Sequence, residues 1–526
     1  MDPSRFYNAP CARWRTSVKQ QPPKIPTLPF LLTSLFLCGA SSLVLEIAGT
    51  RLISPFYGSS IYTWSALITT TMVALACGYA WGGRLADRYP HLTLFARLLL
   101  AAGLTVAAVP ILREAVLRAS APLGVKLGAL AAAAVLVGPS LLLLGALLPI
   151  ATRLTATGAS DAGRRCGDAW AVSTAGSVLG AVLAGFVLIP LWPCSRILLA
   201  TAAVLVALGA WGSWLAARRL PLGQMAACAA CLTLAVRAAQ IPHETVRRRV
   251  ESLYGRIEVL DAGSKRYLLV NGTAQSVMET ATGLSAAEYD RAIEWTLALR
   301  PGAKRVLALG LGAGLLPTAL EREGLSVDAV EIDPEIVNVA RDFFGYAPKG
   351  RVQIADARAA LETSVQRWDL MVLDAFSSES PPSHLFTVEA FARMRESMSP
   401  DGVLAVNLVT TLEGSAGDAW RATYQTLAQA FPHVRAFVAN VPTAGLANVL
   451  FFASTGPLDA PASASPAGAR ADASAMLSRE LILTQDEQDS APVMTDDHAP
   501  LESLLAGTAV RWRTLLQRDL SEALLH

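Results

Sequence analysis

The chain has 526 residues, too many for one hydrophobic core, and 53% of them are hydrophobic while only 16% are charged. Soluble domains usually carry about 25% charged residues, so the composition excludes a wholly soluble protein and predicts segments in contact with lipid. The net charge of +2 argues neither for nor against nucleic-acid binding, but the sequence has no dense stripe of lysine and arginine among aromatic residues, which argues against it.

Charge density divides the chain into two halves. Charged residues are sparse from Pro29 to Val236 and occur at ordinary frequency from Glu244 onward. We therefore predict, in chain order, a basic N-terminal tail (1–27), a transmembrane bundle (28–240), a water-soluble domain (244–455), a flexible linker (456–475) and a C-terminal segment (476–526).

Seven apolar stretches are candidate membrane-spanning helices, each of which needs about 20 mostly apolar residues. They are Leu28–Ile47, Trp64–Gly82, Leu92–Leu112, Leu127–Leu154, Ala169–Trp192, Arg196–Ala216 and Leu222–Val236. The fourth contains Gly138-Pro139, which predicts a kink, and the seventh is the shortest.

Basic residues are more frequent on the side of the N-terminus, which predicts a cytoplasmic N-terminus. That side holds Arg5, Arg13, Arg15, Lys19, Lys24, Arg84, Arg88, Arg153, Arg164, Arg165, Arg218 and Arg219; the other holds Arg51, Arg113, Arg118, Lys126 and Arg196. Seven spans would place the soluble domain outside, whereas Arg237 and the run 247–249 favour a cytoplasmic exit. The sequence leaves both arrangements open.

The soluble half alternates strands and helices after an opening pair of strands. The pair is Arg256–Leu260 and Arg266–Val270, followed by a helix near Ala286–Leu299. Further strands are predicted at Arg305–Leu309, Ser326–Ile332, Val352–Ile354, Leu370–Leu373, Val403–Leu408, Val434–Ala439 and Asn448–Ala453. This pattern predicts a mostly parallel, doubly wound α/β sheet of the Rossmann-like, class I methyltransferase-like type, preceded by a small β-hairpin element.

Three features at the predicted carboxyl ends of the strands indicate a nucleoside site. Gly310, Gly312 and Gly314 follow the first strand of the series, and a glycine turn lets a ligand approach the backbone. Glu331 follows about 20 residues later, where a carboxylate usually binds ribose hydroxyls. Asp356 and Asp374 end the next strands. The alternative is a tight turn with solvated acids. No cluster of metal-ligating residues is found.

These motifs, with several others, resemble those of the spermidine synthase (polyamine aminopropyltransferase) family, and in particular its bacterial membrane-fused branch. The matching stretches are Tyr254–Ile257, Asn271-Gly272 with Gln275, Tyr289, Gly310–Gly314, Val330–Asp333, Asp356–Arg358, Leu373-Asp374, His384–Thr387 and Thr495–Pro500. The resemblance implies a multi-pass protein of the bacterial inner membrane.

The resemblance implies transfer of an aminopropyl group from decarboxylated S-adenosylmethionine, a co-substrate rather than a permanently bound cofactor, to a polyamine amine such as that of putrescine. In that reaction Glu331 would hold the ribose, Asp356 with Ala357 the adenine, and the glycine turn the donor's tail. Gln275 and Tyr289 would line the shared cleft, and Asp374 would accept the proton of the amine. Family members self-associate, which leaves a homodimer open.

Two acids of the resembled family are missing from this chain. Ala313 stands at an acidic position of the glycine turn, and Ser377 stands at the second acid of the catalytic loop, where Glu379 is a candidate replacement. Two other functions therefore stay open. One is a different S-adenosyl-dependent transferase, such as a methyltransferase. The other is a membrane sensor or transporter that binds a nucleoside or polyamine without catalysis.

Overall fold

The computed structural model describes residues 27–58, 61–156, 161–218, 246–376, 379–412, 418–440, 445–458 and 479–519, with parts of 222–233. These residues form a bundle of long apolar helices and an α/β domain that contacts one end of the bundle. The fold class predicted from the sequence is confirmed.

Six helices in the described part of the chain are long and apolar enough to cross a membrane. The bundle contains α1 Thr27–Tyr57, α2 Ile61–Arg88, α3 Leu92–Ser120, α4 Gly124–Leu136, α5 Gly138–Thr155, α6 Ala162–Leu183 and α7 Cys194–Ala217, with α6 continued by a π-helical turn, Ala184–Leu188, and by Ile189–Leu191. Helices α4 and α5 together are the fourth predicted span.

The predicted kink lies at Val137, between α4 and α5. Its N–H still donates to Ala133 at 2.9 Å, and its carbonyl accepts from Leu141 at 3.2 Å. Pro139 has no N–H to donate, so the helix is interrupted locally between α4 and α5.

The bundle has two distinct ends. At one end, Phe30 near the start of α1 lies against Gly212 near the end of α7. At the other end, the Tyr57 hydroxyl of α1 donates a 2.6 Å hydrogen bond to Ser120, the last residue of α3. The N-terminus of α1 and the C-terminus of α7 are therefore on the same side.

The soluble domain lies at the end of the bundle opposite to the start of α1. Arg51 of α1 donates to the backbone carbonyls of Ser252, at 3.3 Å, and Leu253. The chain thus leaves α7 at one end and resumes at the other. Between them, the Cys228 sulfur lies 3.8 Å from the carbonyl of Leu100 in α3. About half of the residues of the predicted Leu222–Val236 span lie outside the described residues, so the seventh crossing stays a prediction.

Buried charges line this contact, which we name the docking surface. Arg249 and Arg256 form ion pairs of 2.6 and 3.1 Å with Glu258, whose side chain is 1% exposed. Arg113 of α3 donates to the Leu52 carbonyl at 3.0 Å and interacts electrostatically with the same group of charges. Charges removed from water need partners of opposite sign, so the docking surface depends on both halves of the chain.

Two sheets build the soluble domain. The first is antiparallel, in the order β1-β2-β3-β4-β5, and the second has the order β13-β11-β12-β10-β9-β6-β7-β8. The strands are β1 Val246–Glu251, β2 Arg256–Ala262, β3 Lys265–Val270, β4 Thr273–Glu279, β5 Leu284–Ser285, β6 Arg305–Leu309, β7 Ser326–Glu331, β8 Val352–Ile354, β9 Trp368–Leu373, β10 Met398–Thr411, β11 His433–Val438, β12 Leu446–Ser454 and β13 Glu480–Leu481.

The second sheet is mixed rather than wholly parallel. Strands β10, β9, β6, β7 and β8 run parallel, whereas β12 pairs antiparallel with both β10 and β11. The domain helices are Glu288–Ile293, Thr296–Leu299, Leu315–Arg322, Pro334–Phe344, Ala357–Thr363, Val388–Glu396, Asp418–Ala430, Gln485–Ser490, Leu501–Leu504 and Ala506–Asp519. The carboxyl ends of the parallel strands meet at one edge, which is where the candidate site lies.

The small N-terminal element has more strands than the sequence predicts. The predicted hairpin corresponds to β2 and β3, and β1, β4 and β5 extend it on both sides. The predicted helix near Ala286–Leu299 is divided into two short helices. The predicted 456–475 linker lies almost wholly outside the described residues.

Candidate active site

A glycine-rich turn joins β6 to the helix Leu315–Arg322. Gly310, Gly312 and Gly314 have φ angles of +99°, +54° and +73°, which residues with a side chain rarely adopt. A Cβ atom on Gly310 would lie 2.3 Å from the backbone oxygen of Asp374. The turn is therefore packed directly against the end of β9, and the two walls of the candidate site are in contact.

Glu331, the last residue of β7, holds the glycine turn in place. Its carboxylate oxygens accept hydrogen bonds from the backbone N–H groups of Leu311 and Asp333, both at 3.0 Å. Burial raises the pKa of Glu331 above its ordinary value, and the backbone hydrogen bonds counteract part of that rise. Each carboxylate oxygen has two lone pairs, so Glu331 can still accept a hydrogen bond from a ligand hydroxyl.

Asp356 caps the helix Ala357–Thr363. It accepts hydrogen bonds from the N–H groups of Arg358, at 2.9 Å, and Ala359, at 3.1 Å, and its second oxygen lies 3.0 Å from Nε2 of His384. Burial raises the pKa of Asp356, but the bonds from Ala359 and His384 outweigh it, so the pKa is lowered. Asp356 is thus an ionised acceptor at the rim of the site.

Asp374 directly follows β9 and is held by two side chains. The Asn407 amide donates to it at 2.8 Å, and the Tyr289 hydroxyl is its second hydrogen-bond partner. Asn448 in turn donates to the Asn407 oxygen at 3.0 Å. Burial raises the pKa of Asp374, and the bonds from Asn407 and Tyr289 oppose the rise. A buried carboxylate with a raised pKa is a better proton acceptor than a solvated one.

Asp290 is a second buried carboxylate that interacts with Asp374, and it was not among the site residues predicted from the sequence. It is 7% exposed and accepts a 2.5 Å hydrogen bond from the Ser285 hydroxyl. Burial, the negative charge of Asp374 and that of Glu294 raise the pKa of Asp290 to about 7, against the opposing effect of Arg291. In this short helix, the neighbouring residue Tyr289 was the one that matched a motif of the resembled family.

A cleft of about 610 Å³ brings these groups together. Ligand pockets typically measure about 300–1,000 Å³, so the cleft has the size expected for a nucleoside derivative. Its carboxylates are Asp290, Glu331, Asp333, Asp356, Asp374 and Glu502. Among the described residues that line it there is no lysine or arginine.

The cleft contains all but two of the site residues predicted from the sequence. Those that line it are Gln275, Tyr289, Gly310, Gly312, Glu331, Asp356, Ala357 and Asp374. Gly314 lies just behind the turn, where it packs against the ring of Tyr346. Glu379, the other exception, lies at the boundary with the membrane bundle.

Residues 290–459 match the family model of the spermine/spermidine synthase domain. This region contains Asp290, the glycine turn, Glu331, Asp356 and Asp374. This stretch is therefore similar to the spermine/spermidine synthase domain, and we refer to the α/β domain that contains it as the synthase domain.

Two curated relatives and one solved structure are similar to the synthase domain. A probable polyamine aminopropyl transferase of Bifidobacterium longum is 30% identical over 196 residues, 36% of this chain and 44% of that protein. A polyamine aminopropyltransferase of Vibrio vulnificus is 30% identical over 184 residues, 32% of this chain and 62% of that protein. The chain therefore spans less than two thirds of either relative. The spermidine synthase of Thermotoga maritima aligns with a TM-score of 0.36 and 19% identity, over 50% of this chain and 87% of that one.

The synthase domain has no charge at the turn position where the resembled family carries an acid. Ala313 is buried, and its N–H donates to the Ser276 hydroxyl of β4 at 3.0 Å. Strand β4 therefore closes over the turn at this point. Ser377, the other departure, lies outside the described residues.

Glu379 contacts the membrane bundle rather than the cleft. It is 5% exposed and accepts a 3.3 Å hydrogen bond from Thr273. A Cβ atom on Gly58, at the end of α1, would lie 2.9 and 3.0 Å from its two carboxylate oxygens. This position gives no support to the prediction that Glu379 replaces the second catalytic acid, because the side chain does not line the cleft.

A second, smaller chamber of about 260 Å³ adjoins the cleft of the synthase domain. Gln275, Tyr289 and Phe376 line both spaces. The ring of Phe376 meets that of Trp512, from the helix Ala506–Asp519, edge to face at 6.2 Å. The C-terminal segment thus contributes a wall that sequence reasoning did not find, because a single tryptophan in a terminal helix carries no motif.

The C-terminal segment also folds back onto the rim of the cleft in the region of Thr495–Pro500. Arg358 forms a bidentate ion pair with Asp496, at 2.6 and 2.5 Å, and Thr387 donates to Asp496 at 2.7 Å. Glu502 then lines the cleft itself. The segment holds the helix that Asp356 caps, so it supports the site from outside.

Proposed function

We propose that the protein transfers an aminopropyl group from decarboxylated S-adenosylmethionine to an amine. The observation that carries this proposal is the charge of the cleft, which has six carboxylates and no lysine or arginine among its described lining residues. The donor has a sulfonium and an ammonium group and no carboxylate, so its charges complement the cleft. A dinucleotide would bring phosphates, which such a cleft repels.

The same observation separates this donor from S-adenosylmethionine. The methionine tail of S-adenosylmethionine carries a carboxylate, and no cation among the described lining residues would pair with it. Methyl transfer is therefore the less favoured function. We assign Glu331 to the ribose hydroxyls and Asp356 with Ala357 to the adenine. The glycine turn would receive the donor's tail. Asp290, which lines the same cleft, would pair with the donor's ammonium group in place of the acid that is missing at Ala313.

In the proposed reaction the neutral amine nitrogen attacks the methylene carbon attached to the sulfonium. The new N–C bond forms as the C–S bond breaks, and the electron pair of that bond stays on sulfur. The products are the aminopropylated amine and 5′-methylthioadenosine, a neutral thioether. The proton lost by the nitrogen passes to Asp374, whose raised pKa suits it for this role. Tyr289 and Asn407 orient the accepting carboxylate.

The test is product formation by the intact protein in detergent, with decarboxylated S-adenosylmethionine and putrescine, and with S-adenosylmethionine as the parallel donor. We expect aminopropyl transfer that falls about 10²–10⁴-fold in Asp374→Asn, the usual contribution of a general base. Asp342→Asn, at an exposed position, is the matched control. Methyl transfer without aminopropyl transfer would overturn the proposal. Nucleoside binding that depends on Glu331, without transfer from either donor, would favour a sensor.

We further propose that the protein spans a bacterial inner membrane, with its N-terminus in the cytoplasm. The bundle end that holds the N-terminus and the end of α7 carries the larger share of basic residues. Since the soluble domain contacts the other end, it would face the opposite compartment. Protease treatment of sealed right-side-out vesicles should then cleave a tag at the C-terminus and spare one at the N-terminus. The reverse pattern would refute this orientation.

A further inference from the structure

The second chamber differs in chemistry from the main cleft. Its lining comes from β4, β10, β12, the short helix Glu288–Ile293, the segments that follow β9 and β11, and the C-terminal helix. The lining residues are Ala274, Gln275, Tyr289, Phe376, Asn407, Val409, Asn440, Leu446, Ala447, Asn448, Trp512 and Leu515. Among these described residues there is no carboxylate, whereas the adjoining cleft has six.

The amides of the chamber are already engaged with one another. Asn448 donates to the oxygen of Asn407 at 3.0 Å, and Asn407 donates to Asp374 at 2.8 Å. The Asn440 oxygen accepts from the backbone N–H of Asn448 at 2.8 Å. Apart from the Gln275 amide and the Tyr289 hydroxyl, the remaining lining side chains are aliphatic and aromatic. The amides therefore serve chiefly to hold Asp374 at the mouth of the chamber.

The position of Asp374 makes the chamber the place for the second substrate. Tyr289 lines both spaces and binds Asp374, so an amine nitrogen that enters from the chamber reaches the carboxylate at the junction. The rest of the amine would then extend along the rings of Phe376 and Trp512, which line the chamber. A second ammonium at its far end would lose its hydration without meeting a carboxylate. Aromatic faces attract cations, but by less than the cost of burying an unpaired charge.

From this geometry we infer that the chamber binds a primary amine whose tail is uncharged and largely apolar. This inference rests on the proposed function, since it concerns the acceptor of the same reaction. It implies that a diamine such as putrescine is a poorer acceptor than a monoamine of similar length. The step itself is unchanged: the amine nitrogen gains the aminopropyl carbon, sulfur keeps the electron pair, and Asp374 takes the proton.

The experiment compares pentylamine with 1,5-diaminopentane, which differ only in the second ammonium. Binding of each amine is measured by calorimetry on the intact protein in detergent, saturated with 5′-methylthioadenosine. We expect pentylamine to bind on the order of tenfold more tightly or better. Equal or tighter binding of the diamine would overturn the inference.

Two variants connect the effect to the chamber. Ala274→Asp places a carboxylate on its half-buried wall, with Ala274→Asn as the uncharged control of equal size. We expect the aspartate variant alone to shift the preference toward the diamine, by about tenfold or more. Trp512→Ala should weaken pentylamine binding and leave 5′-methylthioadenosine binding unchanged. An unchanged preference in Ala274→Asp would count against the assignment.

The same measurements distinguish the two proposals. If 5′-methylthioadenosine binds but neither amine does, the chamber is not the acceptor site, and aminopropyl transfer at the cleft is unaffected by that result. If the nucleoside does not bind at all, the proposed function fails, and the inference about the acceptor fails with it.

Discussion

Replacing Asp290 with asparagine should make the protein more stable at neutral pH but not at acid pH. The carboxyl is buried beside Asp374, and its pKa is about 7, against 3.8 for a free aspartate. In the unfolded chain Asp290 ionises above pH 3.8, whereas in the folded protein it does not ionise until about pH 7. Stability is therefore lost as pH rises between these two values, and the loss is complete above pH 7.

The size of the effect follows from the difference between the two pKa values. A gap of about 3 units at about 1.4 kcal/mol each gives about 4 kcal/mol above pH 7. Asparagine keeps an oxygen to accept from Ser285 and removes the charge. At about 2–4 °C per kcal/mol for a domain of this size, the variant should melt on the order of 10 °C higher at pH 8.

The assay is the melting temperature of the intact protein in detergent from pH 4 to pH 8. The difference between Asp290→Asn and the wild type should be small at pH 4, grow up to pH 7 and then stay level. The exposed Asp342→Asn should show no such trend. A difference that is the same at every pH would refute the reasoning, because it would mean that Asp290 is ionised equally in both states.

Three further predictions concern the walls of the cleft. Glu331→Gln should weaken 5′-methylthioadenosine binding by about 10–100-fold in calorimetry, because an NH₂ donor replaces one of the two carboxylate oxygens that accept hydrogen bonds, one of them from Leu311. Unchanged affinity would show that Glu331 does not bind the nucleoside. Gly310→Ala should disrupt the turn, because the added Cβ atom would clash with the backbone oxygen of Asp374, at a cost of about several kcal/mol. The variant should lose nucleoside binding and melt at a lower temperature. Asp496→Ala should free Arg358 and speed proteolysis of the C-terminal segment with a stability loss of about 1 kcal/mol or less; an unchanged cleavage rate would argue against the ion pair.

Sequence reasoning located the floor of the cleft because the rule behind it is geometric. Parallel strands end at one edge of a sheet, so Glu331, Asp356 and Asp374 had to converge once their strands were recognised. The glycines of the turn were found for a similar reason: their spacing after a strand reflects a backbone conformation.

The rest of the site depends on contacts that no local pattern encodes. Asp290 becomes important only because its short helix packs beside Asp374, which lies 84 positions further along the chain. Trp512 reaches the second chamber from the last described helix. Glu379 was a candidate for the second acid of the loop, yet its side chain packs on Gly58 at the end of α1, a contact between distant parts of the chain that no local pattern indicates.

The contact between Gly58 and Glu379 has a practical consequence for anyone who would work with the soluble half alone. Glu379 lies five residues beyond Asp374, and in the whole protein a membrane helix covers it. A fragment that began at Val246 would leave this carboxylate and the buried ion pairs of Glu258 facing water. We expect such a fragment, even where it folds, to hold the segment after Asp374 differently. Failure of the fragment to turn over substrate would therefore say little about the whole chain, in which the end of α1 covers the segment that follows Asp374.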